Sequence, residues 1–232
     1  MNRDNRKITY IISGIIIICV IGVLLILNSQ PAKDTIPALE LSLYLNLDES
    51  LMNEAQMDSF LNAKELLENN VNDKDGLVNL ANLQRLQGNY EISEIILEYT
   101  LQLYEGDTIA LQNLASLYHE TKRYSEAEEL YYQILENNPL WMSAFEELAQ
   151  LYRFELVPRV DRFPNTINKS RELDFTKQYE STLLRYLGFY YKYAGDNSQS
   201  IDYFRQYLEL KPDDQAIQGV FKELGGSAVI FE

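Results

Sequence analysis

The chain has 232 residues, 46% hydrophobic and 24% charged, enough for one compact domain with additional segments. Its net charge of −15 repels phosphate backbones and argues against nucleic acid as a partner. A single cysteine, Cys19, excludes an internal disulfide or a thiolate metal cluster, and a single histidine, His119, excludes a paired-histidine metal site.

Residues 1–7 contain Arg3, Arg6 and Lys7, and residues 8–28 are an apolar run with Ile15-Ile16-Ile17-Ile18 and Leu24-Leu25-Ile26-Leu27. As a helix this run reaches about 30 Å, the thickness of a bilayer's hydrocarbon core, so it reads as an uncleaved transmembrane anchor. Two other readings compete, a cleaved signal peptide and a lipoprotein lipidated at Cys19. Against the first, the run is long and no small-x-small cleavage site follows it before Pro31. Against the second, Cys19 lies mid-span behind the bulky Ile18. The positive-inside tendency places residues 1–7 in the cytoplasm and the rest of the chain on the extracytoplasmic side of the membrane. Residues 29–36 are a polar linker that spans at most about 30 Å when extended. Residues 37–73 read as divergent N-terminal helices or a cap. Leu41, Leu43, Leu45, Leu47 and Leu51 mix two periodicities, while Phe60, Ala63, Leu66 and Leu67 mark an amphipathic helix.

From residue 74 to 155 the pattern is regular. In the central stretch, Leu111, Leu114, Ala115, Leu117 and Tyr118 form one helical stripe, and Ala127, Leu130, Tyr131, Ile134 and Leu135 form a second. Between them Lys122-Arg123-Tyr124 is a polar break, Ser125 to Glu128 reads as a capping box, and Pro139 stops the second helix. Two helices of this length cannot bury both stripes alone, so the unit asks for neighbours.

These residues resemble the tetratricopeptide repeat, about 34 residues with the pattern W-x₂-L-G-x₂-Y, A-x₃-F and P. The corresponding places hold Leu111, Leu114, Ala115, Tyr118, Ala127, Tyr131 and Pro139. One period earlier stand Leu80, Ala81, Gly88, Ser93 and Leu97, and one period later Phe145, Leu148, Ala149 and Tyr152 restart the first helix. A later copy has Leu184, Leu187, Gly188, Tyr191, Gly195-Asp196, Ser200, Phe204, Leu208 and Pro212. The resemblance implies an all-α, right-handed α-solenoid of three to four helical hairpins.

Residues 156–172, with Pro158, Pro164, Asn165 and Asn168, break the period and read as an irregular, locally basic insertion. Helix is then expected to run unbroken from about Leu173 to Ala194, within a repeat over residues 173–214. A capping helix over residues 215–226 closes at Gly225-Gly226, and residues 227–232 are an apolar tail.

No catalytic constellation, phosphate loop or calcium loop stands out, so neither an enzyme nor a cofactor is expected. The resemblance implies instead that first helices line a concave, partner-binding face. On it the helical spacing exposes Val78, Asn79, Asn82 and Arg85, then Gln112, Asn113, Ser116 and His119, then Glu146, Gln150 and Arg153. The last copy adds Arg185, Tyr186, Phe189 and Tyr193. The expected partner-binding set is Asn79, Asn82, Asn113, Ser116, His119, Gln150, Arg185, Tyr186, Phe189 and Tyr193. Family members that clamp a peptide's C-terminal carboxylates have asparagines at places matching Asn82 and Asn113. Their basic residues are replaced here by Val78, Ser143 and Glu147. The aromatic cluster Tyr186, Phe189 and Tyr193 is either a partner anchor or the seat of the 156–172 insertion. The expected function is a membrane-anchored scaffold for a protein or peptide partner. The alternative is a self-associating structural membrane protein, a homo-oligomer.

Overall fold

Three helices begin one repeat length apart, at Lys74, Thr108 and Met142. The first two starts are fixed by aspartates. The Asp73 carboxylate accepts from the Gly76 backbone N–H at 2.8 Å, and that of Asp107 from Ile109 and Ala110 at 3.1 and 2.9 Å. Lys74 bonds to Asp107 at 2.9 Å, tying one helix start to the next.

The computed structural model describes residues 44–157, 162–174 and 176–227, which belong to a single unit. Among them are ten α-helices, here α1 (Glu54–Asn69), α2 (Lys74–Leu86), α3 (Tyr90–Leu103), α4 (Thr108–Glu120) and α5 (Tyr124–Asn137). These are followed by α6 (Met142–Phe154), α7 (Arg162–Leu173), α8 (Glu180–Tyr193), α9 (Asn197–Leu210) and α10 (Gln215–Glu223). No helix among the described residues is long and apolar enough to cross a membrane. The anchor expected at residues 8–28 and the linker at 29–36 lie outside the described residues.

The pairs α2/α3, α4/α5 and α8/α9 are antiparallel hairpins, and each reverses through one residue in the left-handed region: Gly88 (φ 80°), Lys122 (φ 62°) and Gly195 (φ 81°). A side chain at such a position costs about 1 kcal/mol, a cost that Lys122 bears and the two glycines avoid. The reversal also replaces the expected capping box. Arg123 N–H donates to the Tyr118 carbonyl at 2.7 Å, so the chain leaves the turn directly into α5 at Tyr124 with no side-chain cap. Glu128, which should close that box, is instead fully buried and accepts from the Tyr152 hydroxyl.

The core runs along the seam between the helices of each pair and between neighbouring pairs. Leu114 and Ala115 face inward, 4% and 0% exposed. The small residue of each second helix, Ser93, Ala127 or Ser200, is fully buried. At the last pair the helices approach closely: a Cβ placed on Gly188 would come within 2.5 Å of the Phe204 ring, and Ser200 Oγ donates to the Gly188 carbonyl at 2.8 Å. Capped by Asp214, α10 covers the end with Ile217 and Phe221 against Leu184, Phe204 and Leu208.

The structure corrects the reading of residues 156–172 as irregular. Residues 162–173 form α7, and Pro164 lies in its first turn, where a missing N–H costs no hydrogen bond. Phe163, Ile167 and Ser170 make its buried stripe. The Phe163 ring meets Phe145 at 6.1 Å, Tyr152 at 5.4 Å and Tyr190 at 5.1 Å. Through these rings α7 packs on both α6 and α8 and takes part in the core.

The expected continuous helix from Leu173 to Ala194 is also corrected. It breaks between α7 and α8, where the buried Asp174 carboxylate accepts from the N–H groups of Tyr179 (2.8 Å) and Gln178 (3.3 Å) and from Thr176 Oγ1 (2.9 Å). The Tyr179 N–H first, and Thr176 and Gln178 with it, holds that carboxyl below its usual range. Lys177 turns through φ 56°, and Arg171 pairs with Glu180 at 2.5 Å across the break.

Two substitutions test this packing. Gly188→Val should drive a branched side chain into Phe204 and lower unfolding stability by about 2 kcal/mol. Phe163→Ala should cost about 3 kcal/mol if α7 is part of the core, and almost nothing if residues 162–173 were a surface insertion. Denaturant titration of the full chain measures both.

Candidate functional site

The first helices of successive pairs are neighbours, α2 beside α4 and α6 beside α8. Side chains join α4 to α6: Gln112 Oε1 accepts from Trp141 Nε1 and Ser143 Oγ, both at 3.0 Å, and His119 Nδ1 lies 3.7 Å from Glu147. These helices therefore share one face, and the ten expected partner-binding residues divide between its two halves.

In the first half most polar groups are already engaged. Asn113 donates to the Ile109 carbonyl at 2.8 Å and Ser116 to that of Gln112 at 2.9 Å, each within its own helix. Arg85 pairs with Glu120 at 2.8 Å, and the His119 ring meets Tyr124 edge-on at 5.7 Å. Asn79 and Asn82 are half-buried on α2, with the Asn82 Oδ1 enclosed and without a hydrogen-bond partner. Val78, expected on the exposed face, is instead 6% exposed and belongs to the core. These residues do not converge on one cavity.

The second half does converge. Gln150, Arg185, Tyr186, Phe189 and Tyr193 all line one groove of roughly 250 Å³ between α6 and α8. On the α6 wall Glu146, Ala149, Gln150 and Arg153 follow at i, i+3, i+4 and i+7, the spacing of a single helical stripe. On the α8 wall Phe189 stacks on Tyr193 (6.0 Å, 14° between planes) and meets Phe204 edge-on at 5.1 Å. The Arg185 guanidinium lies 5.8 Å from the centre of the Tyr186 ring. Burial pushes the Tyr186 phenol above its ordinary pKa, and the Glu146 carboxylate adds to this while Arg185 opposes it.

Of the two readings of the aromatic cluster, coverage by residues 156–172 is not what the described residues show. Phe163 of α7 seats on Tyr190, Phe145 and Tyr152, and no α7 residue lines the groove. Glu146, Ala149 and Arg153 were missing from the expected partner-binding set. Glu146 and Arg153 could have been included from their spacing with Gln150, which puts them on the same stripe. Chemically the groove offers flat apolar walls, one amide and charged groups of both signs. Among the described residues no group of three or more His, Cys, Asp or Glu side chains is placed to hold a metal ion.

A family model for the tetratricopeptide repeat matches residues 109–139 and 187–214. No curated protein matches the chain significantly. Among solved structures, a tetratricopeptide repeat protein from Parabacteroides merdae is similar at a TM-score of 0.50 and 18% identity, over 74% of this chain and 73% of that one. The C-terminal part of a repeat-containing protein from Cytophaga hutchinsonii gives 0.54 and 12%, over 73% and 65%. MamA gives 0.50 and 16%, over 66% and 87%. At these identities the likenesses bear on the fold alone. Two stretches of this chain thus match the tetratricopeptide repeat, and they lie in a stack of paired helices whose starts at Lys74, Thr108 and Met142 keep that repeat's period.

Proposed function

We propose that the chain is a membrane-anchored interaction scaffold that holds a segment of a partner protein in the groove between α6 and α8. The observation that carries this is the convergence of Tyr186, Phe189 and Tyr193 with Gln150 and two arginines on one cavity. Rigid aromatic side chains at the edge of a slot provide large contact area at little conformational cost, as at interaction hot spots. The family's general role, binding protein partners without catalysis, agrees with this.

The anchor rests on the apolar run of residues 8–28 behind Arg3, Arg6 and Lys7. In this reading residues 1–7 are cytoplasmic and the repeats lie on the far side of a cell membrane, tethered by residues 29–36. Tethering raises the effective concentration of the scaffold at membrane-bound partners, which suits a part in assembly or secretion at a cell envelope.

Photo-crosslinking in cells tests the proposal. A photoreactive residue is placed at Phe189, at Asn113, or at the exposed Gln133 of α5 as a control. Position 189 should give a discrete adduct with a different protein, position 113 less of it, and position 133 none. Adducts of the chain with itself alone would replace the scaffold by the self-associating alternative. Adducts equally strong from position 133 would remove the groove as the site.

A further inference from the structure

The chain is acidic, with 35 Asp and Glu against 20 Lys and Arg, so an arginine without a carboxylate partner is out of the ordinary here. Of the seven arginines among the described residues, five hold an ion pair. The remaining two, Arg153 and Arg185, form no ion pair there, and both line the groove between α6 and α8. Asp214, a carboxylate that feels the charge of Arg185, is engaged elsewhere: it accepts from Tyr207 at 2.7 Å and caps α10 through Ile217 N–H. The groove also carries one carboxylate of its own, Glu146. Its charged lining is therefore two cations against one anion, on a chain whose overall charge has the opposite sign.

A guanidinium is a planar fork that matches a carboxylate in two parallel hydrogen bonds. Placed beside flat aromatic walls, two such forks recognise a carboxylate close to a large apolar side chain. Resting on the reading of this groove as the partner site, we propose that its ligand is a peptide segment bearing an aromatic or large aliphatic side chain flanked by Asp or Glu. The apolar side chain enters the slot beside Tyr186 and Phe189, and the flanking carboxylates pair with Arg153 and Arg185. This recognition differs from the carboxylate clamp that the family resemblance implies, whose basic places are taken here by Val78, Ser143 and Glu147. A segment with basic flanks has only Glu146 to meet and two arginines to oppose it.

The test is selection from a random short-peptide display library on the full chain in lipid nanodiscs. It is run in parallel on an R153Q/R185Q variant and on Gln150→Trp, which fills the groove from an exposed position. Both variants change side chains outside the core, and their melting temperatures check that they fold. The wild-type pool should be enriched in peptides pairing an aromatic or large aliphatic residue with Asp or Glu. A selected peptide should bind R153Q/R185Q about tenfold more weakly, the sum of two partly exposed charge pairs. Neutral or basic peptides that Gln150→Trp excludes would overturn the acidic-ligand inference and leave the groove as the partner site. Acidic peptides retained equally by R153Q/R185Q would overturn it too. If the wild type enriches nothing beyond Gln150→Trp, both the inference and the reading beneath it fail.

Discussion

Every pair of helices in this chain has an apolar edge that only the next pair can cover, and that mutual coverage is the constraint on which the fold depends. Ala81, Ala115 and Gly188 let helices approach closely enough for Leu97, Tyr131 and Phe204 to be buried. Each fully buried side chain of that size contributes about 1.5–3 kcal/mol relative to exposure, so the sum along the seams outweighs the weak helix propensity of isolated segments. Stability of this kind is held between neighbours, and an end must be closed by something with one polar side. Here α10 does that for the C-terminal end.

The regular part of the fold was legible because its signals are local. The stripe at Leu111, Leu114 and Ala115 acts within a turn or two of the residues that carry it, and the 34-residue interval repeats it along the chain. The irregular part was not. Whether Pro164 breaks a helix or begins one depends on where the helix starts; Asp161, just ahead of Arg162, is of a type that often caps a helix, a signal outweighed here by the two prolines around it. The break after Leu173 has neither proline nor glycine to announce it. It is made by Asp174 gathering three donors from residues up to five positions ahead, with Lys177 in a conformation that a lysine seldom takes.

The candidate site was legible by halves. Helical spacing identified the exposed face, and on α8 it picked out the residues that line the groove. It could not separate the polar residues of α4, spent on bonds within the stack, from those of α6 and α8 that remain available. That difference lies in partners distant in sequence: Gln112 is held by Trp141 and Ser143, and His119 faces Glu147. Which arginines are paired is likewise a property of the folded chain.

The buried cluster behind α6 has a bearing on the groove in front of it. The Tyr152 hydroxyl sits between the Tyr132 hydroxyl, at 2.7 Å, and the Glu128 carboxylate, while the Arg162 guanidinium lies 3.8 Å over the Tyr132 ring. Apolar contacts tolerate a helix rolling by a few degrees, but hydrogen bonds have direction and weaken steeply when turned. Tyr152 therefore acts as a key in a keyway, fixing the rotation of α6 about its own axis and with it the aim of Gln150 and Arg153. A slot whose walls are set before any visitor arrives saves that visitor the entropy of arranging them.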